Sequence, residues 1–173
     1  ALRRFQAERW YDPAATMLGS EQEAWLASAF QASTRRGARW QILGSGTVMG
    51  QQLLPAESME WLPADASEGW RTSRANEVAA ARIGLPYNLD NWGGYPAART
   101  RLLRSARDAD ANLVVLAGDS HNGWANDLID DGEHLGVEFA TQSVTSSGYE
   151  GAGGGRDRAR VETAFAAASE ELR

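Results

Sequence analysis

Apolar side chains recur at helical spacing in two stretches of the chain, and a short apolar run follows each stretch. The helical spacing covers residues 20–34 and 96–107, and the apolar runs cover residues 40–43 and 113–117. This alternation predicts two helix-to-strand units. Such units are typical of the α/β class, in which helices cover a largely parallel sheet.

Local signals mark the beginning of both predicted helices. Ser20 and Glu23 have the spacing of a capping box, in which Ser20 would cap the first helix. Pro96 fits the first position of the second helix. The run over residues 113–117 is rich in Val and Leu throughout, which predicts a strand buried on both faces.

The remaining patterns are less regular. A further strand is predicted over residues 135–140, and a closing helix over residues 161–172 with Asp157 as its cap. Residues 50–93 show little periodicity apart from an Ala-rich stretch at 77–82 that favours a helix. A connection of this length, with its Trp and Pro content, is either an ordered roof over a site or a loop pinned to the core by its tryptophans.

Composition narrows the possible chemistry. All 17 basic residues are arginine and there is no cysteine, which excludes a lysine or thiol nucleophile, a P-loop lysine and any disulfide. The net charge of −6 argues against non-specific binding to nucleic acid or to a membrane surface. No apolar run approaches the roughly 20 residues of a membrane span. The glycines at 151–155 lack a following Gly-Lys-Ser/Thr, and they indicate a hinge rather than a phosphate cradle.

The strand predicted over residues 113–117 ends abruptly in a polar turn that contains Asp119 and His121. Gly118 permits a sharp change of direction there. Ligands of open α/β sheets bind at the carboxyl ends of the strands. A carboxylate and an imidazole two residues apart suit a metal ion, because each offers a lone pair when deprotonated. The alternative is a polar turn with a hydrogen-bonded histidine.

Ser120 lies between these two residues and raises the question of a Ser–His–Asp hydrolase. Adjacent residues of one chain rarely face each other in triad geometry, and the chain has no Gly-x-Ser-x-Gly elbow. We therefore discount a serine nucleophile.

Four segments together resemble the alkaline phosphatase D (PhoD-like) family of metallophosphatases. They are MLGSEQEAWL (17–26), DNWGGYPAAR (90–99), VLAGDSHNGWANDL (115–128) and VEFATQSVTSSG (137–148). Each is a weak signal by itself, but their order along the chain is that of the family.

The resemblance implies a four-layer α/β/β/α sandwich, of which this 173-residue chain would be the C-terminal part as one domain portion, residues 1–173. It implies hydrolysis of phosphate monoesters and diesters through a metal-activated water, with iron and calcium or other divalent cations as cofactors. Family members are periplasmic or secreted, although no signal opens this chain. Asp119 and His121 match the C-terminal metal-ligand motif of the family.

Four further residues are candidates for contact with a phosphate ester. They are Asn122 and Asn126 as catalytic donors to a phosphate oxygen, Arg99 as a bidentate phosphate clamp, and Tyr95 as a substrate contact. The competing interpretations are loop capping for the asparagines, a solvated helix position for the arginine and packing for the tyrosine. Asp127 or a backbone carbonyl is expected to accept from the second ring nitrogen of His121.

The chain also departs from the family. The first metal ligands of the family lie in an N-terminal half that has no counterpart here, and Gly93 stands where the family usually has an acidic residue. Two ligands fall short of the roughly four to six that such ions need. We therefore expect the isolated chain to be weakly active or inactive, and the missing N-terminal half to be its partner. The alternative is a non-catalytic α/β module that binds phosphate or a partner. The start at Ala1, without Met, is expected to be an internal cut.

Overall fold

The computed structural model describes residues 1–148 and 157–173, so the predicted hinge at 151–155 lies outside the described residues. The elements are, in order, α1 (Leu2–Phe5) with a π-helical turn (Gln6–Trp10), α2 (Ser20–Arg35), β1 (Gln41–Ser45), a 3-10 turn (Ala56–Trp61), α3 (Glu68–Ala81), a 3-10 turn (Trp92–Gly94), α4 (Pro96–Asp108), β2 (Leu113–Ala117), β3 (Trp124–Asp130), β4 (Glu133–Ala140) and α5 (Arg158–Ala168).

Within the described residues, the four strands form one sheet in the order β1-β2-β4-β3. β1, β2 and β4 are parallel, while β3 runs antiparallel to β4 at the edge. The prediction of an α/β fold is confirmed. β3 was not predicted. It is joined to β4 by a two-residue turn, Asp131 and Gly132, both with positive φ, as a tight hairpin requires.

The two predicted helix-to-strand units are confirmed, with one correction at the first helix. Gly19 with φ +84° is the cap residue, and Ser20 is already helical, so Ser20 is not the cap. No side chain in the described part of the chain caps α2. The Thr16 hydroxyl accepts from the Gly19 amide at 2.8 Å and donates to Glu23 at 2.5 Å, so it holds the chain just before the helix.

The predicted cap of the closing helix is confirmed, but its predicted end is wrong. Asp157 accepts from the Ala159 amide at 3.0 Å, as an N-cap does. The helix stops at Ala168, short of residue 172. The chain beyond it lies along β3, where the Asp127 amide donates to the Glu171 carbonyl at 2.7 Å. Pairing with a sheet edge therefore replaces the last helical turn.

The long segment over residues 50–93 is ordered against the rest of the chain. Its Trp61 is buried and packs 5.7 Å from Phe165 of α5, ring centre to ring centre. Its Trp92 is buried and donates from the indole nitrogen to the Ser45 hydroxyl at 3.1 Å. These tryptophans pin the segment to the core, as one of the two sequence interpretations expected.

Helices α2 and α4 cover one face of the sheet. Leu26 and Phe30 of α2 and Leu103 of α4 are buried against Leu113 and Val115 of β2. This is the main apolar core, and it follows directly from the helical spacing of the apolar residues.

The opposite face of the sheet is apolar and open to solvent. Ile42 of β1, Leu116 of β2 and Phe139 of β4 are 67, 48 and 53% exposed. Leu116 and Phe139 are register partners, so their side chains adjoin. The prediction that β2 is buried on both faces is therefore wrong for this chain, because the helices cover one face alone. Parallel sheets are normally covered on both faces.

Two buried carboxylates bind three consecutive backbone amides in the loop after β1. Glu138 of β4 accepts from the amides of Met49 and Gly50 at 2.6 and 2.8 Å. Glu171, near the C-terminus, accepts from the amide of Gln51 at 2.6 Å. Both carboxylates are nearly inaccessible to water. We refer to these two glutamates and their partners as the carboxylate network.

Arg99 and Asn126 complete the carboxylate network. Arg99 donates to the Glu171 carboxylate at 2.6 Å and to the carbonyls of Met49 and Ile129 at 2.8 and 3.0 Å. The Asn126 amide donates to Glu138 at 2.9 Å. The network therefore joins α4, β3, β4 and the C-terminal residues to one loop.

We predict that Glu171→Ala lowers the free energy of unfolding by about 3–5 kcal/mol, because it leaves the largely buried Arg99 without its counter-charge. The measurement is urea unfolding of the chain followed by circular dichroism. The control is Glu162→Ala, which removes an exposed carboxylate paired with Arg158 within α5 and should leave the midpoint unchanged. Equal midpoints for both variants would contradict the prediction.

A second prediction concerns the pH dependence of stability. Burial raises the pKa of Glu138 despite three N–H donors and the nearby Arg99 charge. The folded chain then binds the Glu138 proton more tightly than the unfolded chain. The resulting contribution to the free energy of unfolding is present below the ordinary carboxyl pKa and is lost as pH rises through the raised pKa. Glu138→Gln removes that contribution. It also destabilises the fold, because the NH₂ group of the new side chain would face an N–H donor that the carboxylate now accepts from. We expect the stability gap between wild type and Glu138→Gln to narrow as pH rises; a widening gap would overturn the assignment.

Candidate functional site

A cavity of about 270 Å³ lies at the carboxyl ends of the three parallel strands. Four segments contribute lining residues: 47–52 after β1, 119–122 after β2, 147–148 after β4, and 87–91 from the long segment. Loops that follow parallel strands converge at one edge of a sheet, which is where open α/β sheets bind ligands.

The turn after β2 has an unusual backbone. Asp119 and His121 have φ values of +67° and +63°, in the left-handed region that L residues rarely adopt. Asp and His tolerate this region better than most residues, at a cost of about 1–3 kcal/mol each. Both side chains are exposed and line the same cavity. The turn therefore brings together the two residues that the sequence singled out.

The ring of His121 is oriented by the loop after β4. Its Nδ1 lies 3.1 Å from the Ser147 carbonyl oxygen. Because a carbonyl only accepts, Nδ1 must carry the proton, which leaves the Nε2 lone pair for a cation. Of the two predicted orienting groups, the backbone carbonyl is the one in contact. Asp127 instead lies 3.0 Å from His134 and 2.6 Å from Arg173.

The hydroxyl of Ser120 is occupied within the turn. It donates to the Asn122 carbonyl at 2.8 Å and accepts from the Trp124 indole at 2.8 Å. These bonds hold the turn closed. Both the proton and a lone pair of the Ser120 hydroxyl are therefore used inside the turn.

The structure brings one of the four other candidates to the cavity. Asn122 lines it beside His121, and a side chain at Gly148 would overlap the Asn122 amide. Arg99 and Asn126 lie in the carboxylate network instead, where their donors are used by buried oxygens. Tyr95 packs against the apolar core under α2 and α4. None of the latter three lines the cavity.

Segments 47–52 and 87–91 form a wall of the cavity, as the alternative of an ordered roof over residues 50–93 expected in part, but the sequence singled out none of the lining residues. Gln52 and Asn91 are buried there, and the Asn91 amide donates to the Gln52 side-chain oxygen at 3.2 Å. The Tyr87 hydroxyl lies 3.4 Å from the same oxygen. The local density of amide side chains was the available signal, but without a period it did not point to a site.

The surroundings of Gly93 are tight. Its amide donates to the Asn91 side chain at 2.8 Å, and its carbonyl accepts from the Trp10 indole at 2.7 Å. A Cβ at Gly93 would lie 2.9 Å from both the Asn91 oxygen and Pro86. A side chain at this position would therefore require Asn91 or Pro86 to shift.

The donors at the cavity fit part of a metal site. Asp119 and His121 have the right chemistry, and the Ser147 contact sets the histidine tautomer. Across residues 1–148 and 157–173, however, no group of three or more His, Cys, Asp or Glu side chains is placed to hold a metal ion. A further ligand set would have to come from elsewhere.

None of the helices within residues 1–148 and 157–173 is long and apolar enough to cross a membrane.

Comparison with known proteins identifies the family. The chain matches the family described as PhoD-like phosphatase over residues 3–173. It is 34% identical over 143 residues to a protein named alkaline phosphatase D from Bacillus subtilis (strain 168), a match that covers 79% of this chain and 20% of the relative. No solved structure matches. The chain belongs to the PhoD-like phosphatase family, and it spans about a fifth of the length of this curated relative.

The two histidines should differ in tautomer. We expect neutral His121 to carry its proton on Nδ1, facing the Ser147 carbonyl, and neutral His134 to carry it on Nε2, facing the Asp127 carboxylate. The measurement is a long-range ¹H–¹⁵N correlation spectrum, which distinguishes the ring nitrogens, with His134 as the internal control. An Nε2–H tautomer at His121 would contradict the prediction, because a protonated Nε2 has no lone pair to offer a cation.

Proposed function

We propose that this member of the PhoD-like phosphatase family supplies the C-terminal part of a metal-dependent phosphoesterase site. The observation that carries the proposal is the meeting of Asp119 and His121 in one cavity, at the carboxyl ends of three parallel strands, with the His121 ring fixed by the Ser147 carbonyl. The family match supports a phosphatase. The metal dependence and the shared site are our inference from the residues.

In this proposal, the Asp119 carboxylate and the Nε2 lone pair of His121 hold a divalent cation, with iron and calcium as the expected ions. When bound, such an ion supplies Lewis-acid polarisation of the phosphate oxygens and lowers the pKa of a water that it holds. The left-handed turn sets the backbone of both residues before substrate arrives, and the Ser147 carbonyl orients the His121 ring. We propose Asn122, which lines the cavity on the same turn, as a contact for an ester oxygen. Substrate roles for Arg99, Tyr95 and Asn126 stay predictions that the geometry does not favour.

The open sheet face is the proposed contact with the rest of a longer enzyme. The matched relative has about four fifths of its length outside the region of similarity. A second sheet packed on Ile42, Leu116 and Phe139 would cover the apolar face and produce the four-layer sandwich. The same partner would bring the further metal ligands that two side chains cannot supply.

A second candidate function is a non-catalytic module that binds phosphate or a partner. One observation favours it: within the described residues, the candidate metal site offers two strong ligands. On this alternative, the cavity binds phosphate without hydrolysis, and the longer protein has no esterase activity that depends on His121.

The first test is His121→Ala in the full-length protein that contains this chain, assayed with 4-nitrophenyl phosphate at saturating metal. We expect turnover to fall at least a hundredfold, because the cation loses a ligand. His134→Ala is the matched control, since His134 is the other histidine of the chain, lies on the β3–β4 hairpin and contacts Asp127. Its turnover should stay close to wild type. Undiminished turnover in His121→Ala would contradict the assignment of His121 as a metal ligand. An inactive wild-type protein would favour the non-catalytic module.

The second test addresses the sheet face. The chain and the preceding part of its protein are co-expressed as separate polypeptides, and their complex is measured by size-exclusion chromatography. We expect Leu116→Glu to abolish the complex, because it would bury an unpaired charge. Ala75→Glu, which adds the same charge on the exposed side of α3, should preserve it. A complex that survives Leu116→Glu would show that this face is not the contact.

A further inference from the structure

The orientation of each amide on the cavity wall follows from its hydrogen bonds. The Gly93 amide donates to the Asn91 side chain at 2.8 Å, so that atom is the Asn91 oxygen. The Asn91 nitrogen therefore makes the 3.2 Å contact with Gln52, and the Gln52 atom there must be its oxygen, Oε1. The Tyr87 hydroxyl lies 3.4 Å from the same oxygen.

This orientation leaves the nitrogen of Gln52 without an acceptor. Gln52 is 5% exposed, and none of the described residues accepts from its Nε2. A buried donor that lacks an acceptor costs about 1–3 kcal/mol. A ligand oxygen bound by Nε2 would remove this cost, and Gln52 lines the cavity that holds Asp119 and His121.

Asn88 on the same wall also has its oxygen engaged by the protein, although its side chain is half-buried rather than buried. Its oxygen accepts from the Asp90 amide at 2.8 Å, which leaves its Nδ2 as the remaining donor. Asn88 also lines the cavity. Two carboxamides therefore have their oxygen ends engaged by the protein and their nitrogen ends unused by the described part of the chain.

The charges at the cavity indicate which ligand these donors suit. Among residues 1–148 and 157–173, no arginine lines the cavity, whereas Asp119 does. Within this part of the chain, neutral donors are the groups available to the oxygens of a phosphate group at this site, in addition to any cation. Carboxamide N–H groups meet that need and do not compete for the cation, since they have no lone pair to offer it.

We propose that Gln52 and Asn88 form a donor subsite that binds the non-bridging oxygens of a phosphate group in this cavity. The substrate class, a phosphate ester, rests on the proposed function, but phosphate binding by these residues does not require hydrolysis. Gln52 contacts the ligand through Nε2, and Asn88 contacts it through Nδ2. Tyr87, Asn91 and Asp90 are positioning residues, because they contact the two side-chain oxygens and so leave the nitrogens as the donors.

The test uses variants that change one atom. Gln52→Glu and Asn88→Asp retain the oxygen that accepts from the protein and replace the donor nitrogen by an acceptor oxygen. The full-length protein is titrated with inorganic phosphate by isothermal titration calorimetry. Each variant should bind phosphate at least tenfold more weakly than wild type, the loss expected for one hydrogen bond to a charged ligand.

Added charge alone could repel phosphate, and two controls separate that effect from loss of the donor. Gln31→Glu adds the same charge on the exposed surface of α2 and should bind phosphate as wild type does. Asn88→Ala removes the donor without adding charge and should still weaken binding. Thermal unfolding checks that each variant folds; if Gln52→Glu does not fold, the two Asn88 variants carry the test.

The outcomes separate this subsite from the proposed activity. Wild-type phosphate affinity in the Asn88 and Gln52 variants overturns the subsite, even if His121→Ala abolishes turnover and the esterase stands. No phosphate binding by wild type also overturns it. Weaker binding in the variants of a protein that hydrolyses no ester supports the subsite and overturns the esterase instead.

Discussion

The rest of the structure depends on the binding of three consecutive amides by two buried carboxylates. Met49, Gly50 and Gln51 each donate to Glu138 or Glu171. Removing two carboxylates from water is costly, and the cost is offset when their lone pairs are filled by fixed donors. Arg99 donates to the Glu171 carboxylate and also to the carbonyls of Met49 in the loop and Ile129 in β3. The loop after β1 is therefore placed by the sheet and the C-terminal residues together, rather than by its own conformation.

This constraint explains why the cavity wall lies where it does. Gln52 follows directly after the three bound amides, so its position is inherited from Glu138 and Glu171. Gly50 is required in between, because a Cβ there would overlap the Asn126 side chain. Arg99 and Asn126, which the sequence suggested as substrate contacts, donate instead to Glu171 and Glu138 in the carboxylate network. The turn with Asp119 and His121 lines the same cavity as Gln52, and the side chains of both residues are exposed there.

Helical periodicity was enough to predict α2 and α4, which bury an apolar stripe. Short apolar runs predicted β1, β2 and β4, although Gln41 and Glu138 are buried polar residues of β1 and β4. The sharp end of β2 also located the turn with Asp119 and His121. β3 was missed, and a polar residue, Asn126, takes its inward-facing position, where it bonds to Glu138. The wall around Gln52 was expected only as one alternative for residues 50–93, and its residues were not singled out. Its placement depends on Glu171, about 120 positions away along the chain, and no local pattern records such a contact.

The open sheet face and the short list of metal ligands have one common explanation on our proposal. A strand such as β2, apolar on both sides, is expensive to leave half exposed, since the hydrophobic gain from covering it is about 25 cal/mol per Å². The edge of the same sheet carries the cavity, so whatever covers the face also approaches the cavity. Core and site would then be completed in one step, by one partner surface. An enzyme built in this way would couple metal binding to assembly, because the ligands of the ion would be complete only with the two sheets packed, and a bound ion would in turn stabilise that packing.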